Sequence, residues 1–128
     1  MKYLFAGGGT AGHITPAIAV AEVLREREAD AEILFVGREN GAENEKVRAL
    51  GYKVRELPAV GLERRLTLKN LRALLILFRG LGDAGRILDE EKPDVILGTG
   101  GYVSYPMLHV GSRRGIPVFL HESNATPG

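Results

Sequence analysis

Short apolar runs alternate along the chain with longer stretches in which apolar residues recur every three or four positions. Tyr3–Ala6, Ile33–Val36, Lys53–Leu57, Asp94–Leu97 and Pro117–His121 read as strands, the second ended by Gly37 and the third by Pro58. Between them the spacing predicts helices. Pro16–Arg27 has Thr15 in the N-cap position and Pro16 at the first helical one, with Ala17, Val20, Ala21 and Leu24 on one face. Asn40–Leu50 is closed by Gly51. A helix capped by Thr67 runs through Phe78 and, past Gly80, Gly82 and Gly85, as far as Asp89. Val103–Arg113 is the fourth, with Ser104 and Pro106 near its start.

Strands that alternate with helices make βαβ units with right-handed crossovers. Runs such as ILFV and DVIL are apolar throughout, which suits strands covered on both faces. The predicted fold is therefore α/β, a Rossmann-like, doubly wound parallel sheet. Ligands of such sheets sit beyond the carboxyl ends of the strands, where strand order reverses. If the first strand is central, that place lies between the loops after strands one and four.

Composition sharpens this placement. The 128 residues predict one domain, with hydrophobic (45%) and charged (26%) fractions ordinary for a globular one. Cysteine is absent, which excludes disulfides, zinc–thiolate sites and a cysteine nucleophile. The net charge of +1 does not argue for a nucleic-acid partner. The longest apolar run, Ala73–Phe78, is far short of the ~20 residues of a spanning helix. The start lacks a signal-peptide h-region, so the expected location is cytoplasmic. Glycine is the outlier: 17 residues, nearly twice the usual ~7%. Seven of these, Gly7, Gly8, Gly9, Gly12, Gly98, Gly100 and Gly101, fall in the two loops the fold singles out.

The first loop, AGGGTAGHITP, leads from a strand into a helix N-terminus, where free N–H groups and the positive dipole end favour an anion. Gly7, Gly9 and Gly12 also match G-x-G-x-x-G, and Arg38 after strand two would suit a 2′-phosphate, so an NADP-binding oxidoreductase domain is a rival reading. With the helix start at Thr15-Pro16, His13 stays in the loop, as a general base or as a histidine that fixes backbone geometry. The second loop, GTGGYVSYP, adds the hydroxyls of Thr99, Tyr102 and Ser104 and a second helix N-terminus. Two such termini facing one crevice suit a diphosphate. HESNATPG brings His121, Glu122 and Asn124 to the same edge. No metal-ligand spacing and no Ser-His-Asp arrangement occurs.

Neutral overall charge hides a segregation. Residues 61–79 carry five cations against one anion, and residues 81–94 two against five. Within the first stretch, Leu71, Leu74, Leu75 and Phe78 form a stripe expected to face the sheet, while Ile76 and Leu77 point partly elsewhere. An apolar surface rimmed by arginines suits an anionic membrane, a buried helix or a partner, so a non-catalytic membrane-recruiting domain is a third reading.

The motifs GGGTAGHITPA, PDVILGTGGYVS and HESNATPG, in this order, resemble those of the MurG-type N-acetylglucosaminyltransferases of bacterial peptidoglycan synthesis. The resemblance runs over essentially the whole chain. It implies the amino-terminal half of a GT-B fold, which has two Rossmann-like domains and a cleft. It also implies inverting transfer of N-acetylglucosamine from UDP-N-acetylglucosamine to lipid I, giving lipid II, with neither metal nor cofactor. Gly8, Gly9, Thr10 and Gly12 would cradle the acceptor diphosphate from one side, and Gly100, Gly101 and Tyr102 from the other. His13 would be the base, and Asn124 would contact the donor sugar. Arg64, Arg65, Lys69, Arg72, Leu75, Ile76, Phe78 and Arg79 would form a patch on the cytoplasmic face of the inner membrane. Family members are more than twice this long, so the donor-binding domain is expected to be missing from residues 1–128. The chain alone would bind acceptor and membrane without turnover, as a homodimer or with a complementing half.

Overall fold

In a computed structural model, residues 1–7, 11–39, 41–57, 71–99 and 104–120 are described. They form β1 (Lys2–Ala6), α1 (Ala11–Arg27), β2 (Glu32–Arg38), α2 (Glu43–Ala49), β3 (Lys53–Leu57), α3 (Leu71–Glu91), β4 (Val95–Gly98), α4 (Ser104–Arg113) and β5 (Val118–Leu120). The sheet is all parallel with order β3-β2-β1-β4-β5. β1 is central, and strand order reverses between β1 and β4, as the doubly wound reading requires.

Strand alternation sorts the core into two layers. Leu4, Ala6, Leu34, Val36 and Ile96 pack with Ala84, Ile87 and Leu88 of α3 and Met107 of α4. Tyr3, Phe5 and Phe35 pack on the other face with Ala17 and Ala21 of α1, Val47 of α2 and Tyr52. There the Phe5 and Phe35 rings stack with centroids 5.2 Å apart, and Tyr52 lies 5.1 Å beyond Phe35. Fully burying one such side chain stabilises by about 1.5–3 kcal/mol, so truncating Phe35 would cost about 3–5 kcal/mol.

Several boundaries differ from the sequence expectation, each for a local reason. α1 begins at Ala11, five residues before Pro16, so Thr15 is not its N-cap and His13 sits in its first turn. Pro16 has no N–H for the carbonyl of Gly12, four residues back. Gly37 does not end β2 but pairs with Glu56 inside it. A Cβ there would lie 2.0 Å from Oδ1 of the buried Asn44, so the strand needs glycine to admit that side chain. α2 starts at Glu43 rather than Asn40, while Gly51 has the expected left-handed backbone (φ +93°). α3 passes through its glycines and ends at Glu91, where Lys92 turns left-handed (φ +48°). The expected stripe is also corrected: Leu75 and Phe78 are 62% and 64% exposed, and the face on the sheet is that of Ala84, Ile87 and Leu88.

Candidate functional site: the carboxyl edge of the sheet

The central feature is the place where β1 and β4 end side by side. Ala6 is in register with Gly98, and the Thr99 N–H donates to the Ala6 carbonyl at 3.0 Å. On the other flank the Gly7 N–H reaches the Val36 carbonyl at 3.4 Å. The chain thus leaves both strands at one level and in adjacent positions. From β1 it goes to α1 on one face of the sheet, and from β4 to α4 on the other. Both helices begin at this edge, so the positive dipole end of each faces it. An anion between the two turns meets partial positive charge from both sides.

Of the residues singled out above, Gly12 and His13 lie in the first turn of α1, and their side-chain environment is outside the described set. Gly8, Gly9, Thr10, Gly100, Gly101, Tyr102 and Asn124 lie outside the described residues, as do Thr67, His121, Glu122, Arg64, Arg65 and Lys69. Arg72 and Ile76 are placed only as backbone of α3. Gly98 has a role other than ligand approach: a Cβ there would meet Leu108 at 2.7 Å, so it lets α4 close onto β4. Thr99, 3% exposed, is the polar residue at the base of the turn.

Three features of the structure were not read from sequence. The first adjoins the turns: Phe5, Pro16, Val20, Leu97, Gly98, Thr99, Phe119 and Leu120 line an apolar groove of about 190 Å³. The second is Asn44, whose Nδ2 donates to the Arg38 carbonyl at 2.8 Å and to Glu56 at 3.1 Å, pinning the turn after β2. The third lies where α3 ends. Glu91, with a side chain 4% exposed, takes Lys2, Lys53 and Arg55, each at 2.8 Å. Burial alone would raise the Glu91 carboxyl, but the three cations hold it down to about 2. Helical spacing from Gly80, Ala84 and Ile87 places residue 91 on the buried face, the signal that could have found it. Among the described residues no group of three His, Asp or Glu could hold a metal ion.

An open parallel sheet with this strand order is a doubly wound α/β domain, the class whose ligands sit at the carboxyl edge where strand order reverses. Comparison with known proteins narrows the class: the model of the glycosyltransferase family 28 N-terminal domain matches residues 3–128, and the chain belongs to that family. It is 49% identical, over all 128 residues, to a UDP-N-acetylglucosamine–N-acetylmuramyl-(pentapeptide) pyrophosphoryl-undecaprenol N-acetylglucosamine transferase of Thermoanaerobacter sp. (strain X514), covering 35% of that protein. The Clostridioides difficile (strain 630) protein of the same name is 44% identical, with 31% of it covered. The crystal structure of Acinetobacter baumannii MurG matches with a TM-score of 0.83 at 28% identity, over 99% of this chain and 36% of that one. The chain therefore spans about a third of the length of the relatives it matches.

Proposed function

We propose that this chain is the acceptor-binding half of an inverting glycosyltransferase that moves N-acetylglucosamine from UDP-N-acetylglucosamine to the muramoyl sugar of an undecaprenyl-diphosphate-linked acceptor. The observation that carries this reading is the adjacency of the two glycine-bearing turns at the β1/β4 reversal. The names of relatives that match the whole chain support it.

In this reading the acceptor diphosphate lies between the turns, held by Gly8, Gly9, Thr10 and Gly12 on one side and Gly100, Gly101 and Tyr102 on the other. The first-turn amides of α1 and α4 take the charge that a metal would otherwise take. The acceptor 4-hydroxyl oxygen bonds to the anomeric carbon as the bond from that carbon to the UDP oxygen breaks on the opposite face, which inverts the centre. His13, in the first turn of α1, accepts the hydroxyl proton. Asn124 contacts the donor sugar, and the greater length of the relatives supplies the donor-binding domain. The exposed Leu75, Phe78 and Arg79, with Arg64, Arg65, Lys69, Arg72 and Ile76, rest the domain on the cytoplasmic face of the inner membrane. Among the described residues no helix is long and apolar enough to cross a membrane.

The decisive assay uses the protein with its donor domain, UDP-N-acetylglucosamine and the lipid-linked acceptor. His13→Ala should lower kcat by about 10²–10⁴ with folding intact, the range for loss of a general base. Unchanged turnover removes His13 as base. Stabilisation of the 128-residue chain by micromolar NADPH, and none by the acceptor, would favour the oxidoreductase reading. Sedimentation with anionic vesicles tests the patch, and Leu75→Asp with Arg72→Glu should abolish it; an unaltered pellet removes the membrane role.

A further inference from the structure

The two flanks of the β1/β4 edge differ in chemistry. On the β5 side, Pro16, Val20, Leu97, Phe119 and Leu120 belong to the apolar groove. On the other side β2 ends at Arg38, which is exposed. Val36 is in register with Ala6, so Arg38 stands two residues beyond that level, on the strand next to β1. That is about 7 Å past the edge and about 5 Å to the side. Alternation with Leu34 and Val36 puts its side chain on the sheet face that carries α3 and α4.

Two observations set this arginine apart. Arg25, Arg48, Arg55, Arg79, Arg86 and Arg114 each pair with a carboxylate, but among the described residues no carboxylate pairs with Arg38. Glu56, on the neighbouring strand, lies opposite Gly37 and is taken by Asn44 and Arg48. Arg27 and Arg113 also lack such a pair among the described residues, but they lie in the last turns of α1 and α4, at the far edge of the sheet. The second observation is the turn beneath Arg38. Its carbonyl accepts from Nδ2 of Asn44 and from the Gly41 N–H, both at 2.8 Å. Asn44 is 2% exposed and fits there only because Gly37 has no Cβ. The Glu39 N–H extends the ladder to the Leu57 carbonyl at 3.0 Å. A buried amide and a required glycine thus fix the backbone under an unpaired guanidinium. A cation that served solubility alone would need no such base.

We propose that Arg38 is a specificity-determining residue that binds a carboxylate of the acceptor's peptide. The inference rests on the acceptor reading above, in which the acceptor is the muramyl-(pentapeptide) compound of the relatives' names. Muramic acid bears a lactyl carboxyl group, so a peptide attached there is joined by its amino end and keeps a free carboxyl terminus. With the diphosphate between the turns, a peptide that leaves the sugar towards β5 meets the apolar groove. Towards β2 it meets a guanidinium, whose paired N–H donors match a carboxylate. Five extended residues span about 17 Å, more than the distance from the turns to Arg38.

The test uses the protein with its donor domain, UDP-N-acetylglucosamine and two lipid-linked acceptors. One carries the pentapeptide, and the other the same peptide with its carboxylates converted to amides. The parent should show a KM about fivefold lower for the first, the factor one exposed ion pair is worth. Arg38→Gln should erase that difference, and Arg38→Lys should keep part of it. The ratio of the two KM values does not depend on how much of a variant is folded. If Arg38→Gln raises KM equally for both acceptors, the guanidinium serves the diphosphate and the inference falls. A preference that survives in Arg38→Gln also overturns it, as does a parent that treats the two acceptors alike. Added salt should shrink the parent's preference; a preference indifferent to salt is no exposed ion pair and counts against the assignment. Turnover of neither acceptor by the parent removes the acceptor reading itself, and the role of Arg38 with it.

Discussion

Where α3 ends, side chains hold the fold together: Glu91 gathers three cations, and Lys2 and Asp94 exchange backbone and carboxylate hydrogen bonds at 2.7 and 2.8 Å. At the carboxyl edge the corresponding work falls to backbone. The Thr99 and Gly7 amides tie adjacent strands, and helix N-termini supply the positive charge. The first region is complete without a ligand. The second is where we propose that the acceptor diphosphate binds. Substitutions in the first should therefore move stability and spare binding, and those in the second should do the reverse.

Glu91→Gln should have the largest effect on folding. It leaves three cations around a neutral amide, and breaking a buried ion pair from one side costs about 3–5 kcal/mol. Denaturant unfolding measures this. Acid titration gives the matching sign. The Glu91 carboxyl lies near 2 in the folded chain against 4.5 ordinarily, so its contribution is complete above about 4.5 and disappears as pH falls towards 2. The variant should show a flatter stability profile across that window. A profile as steep as the parent's would assign the acid transition to other carboxylates.

Gly98→Ala probes the boundary between the two regions, because Gly98 stands at the carboxyl edge yet serves packing. Its new Cβ would press on Leu108, which must shift, at a cost of about 1–3 kcal/mol. Thermal unfolding should detect that loss, with acceptor affinity reduced as the second turn moves. Full stability with lost binding would instead place Gly98 among the ligand-facing residues.

How much of this was legible in the sequence depends on which forces set each feature. The strands could be read because runs of apolar residues act locally. β3 has the predicted limits, and the β1/β4 reversal was placed only on the condition that the first strand is central, which the strand order meets. The start of α1 was misread because Thr15-Pro16 is a strong local start signal, and the helix already runs through the turn before it. Gly37 was misread as a strand end because its partner, Asn44, arrives from the next helix. The apolar face of α3 was assigned to the wrong side because its first half is as apolar as a buried helix. Only the contacts of Ala84, Ile87 and Leu88 fix the rotation. The glycine loops stand out by composition alone, which does not separate glycines such as Gly98, needed for packing against Leu108, from any that face a ligand.

Tyr52→Phe is the smallest test and the most discriminating about side-chain ties. The Tyr52 hydroxyl donates to Glu22 at 2.8 Å, its ring packs on Phe35, and the Arg25 guanidinium lies 4.4 Å above it. Burial, with the hydrogen bond to Glu22, pushes the phenol up to about 12. A raised acid favours the folded chain while protonated, so this contribution holds below about 10 and is lost as pH rises from 10 towards 12. Removing the hydroxyl keeps the ring and deletes one hydrogen bond to a half-exposed carboxylate, worth about 1 kcal/mol. The variant should lose about that much at pH 7 and show less alkaline destabilisation than the parent. Acceptor binding should stay the same, because the tie joins α1 to the start of β3, away from the glycine turns. If binding fell with it, the rotation of α1 would be setting the first turn, and the separation between the two regions would fail at that helix.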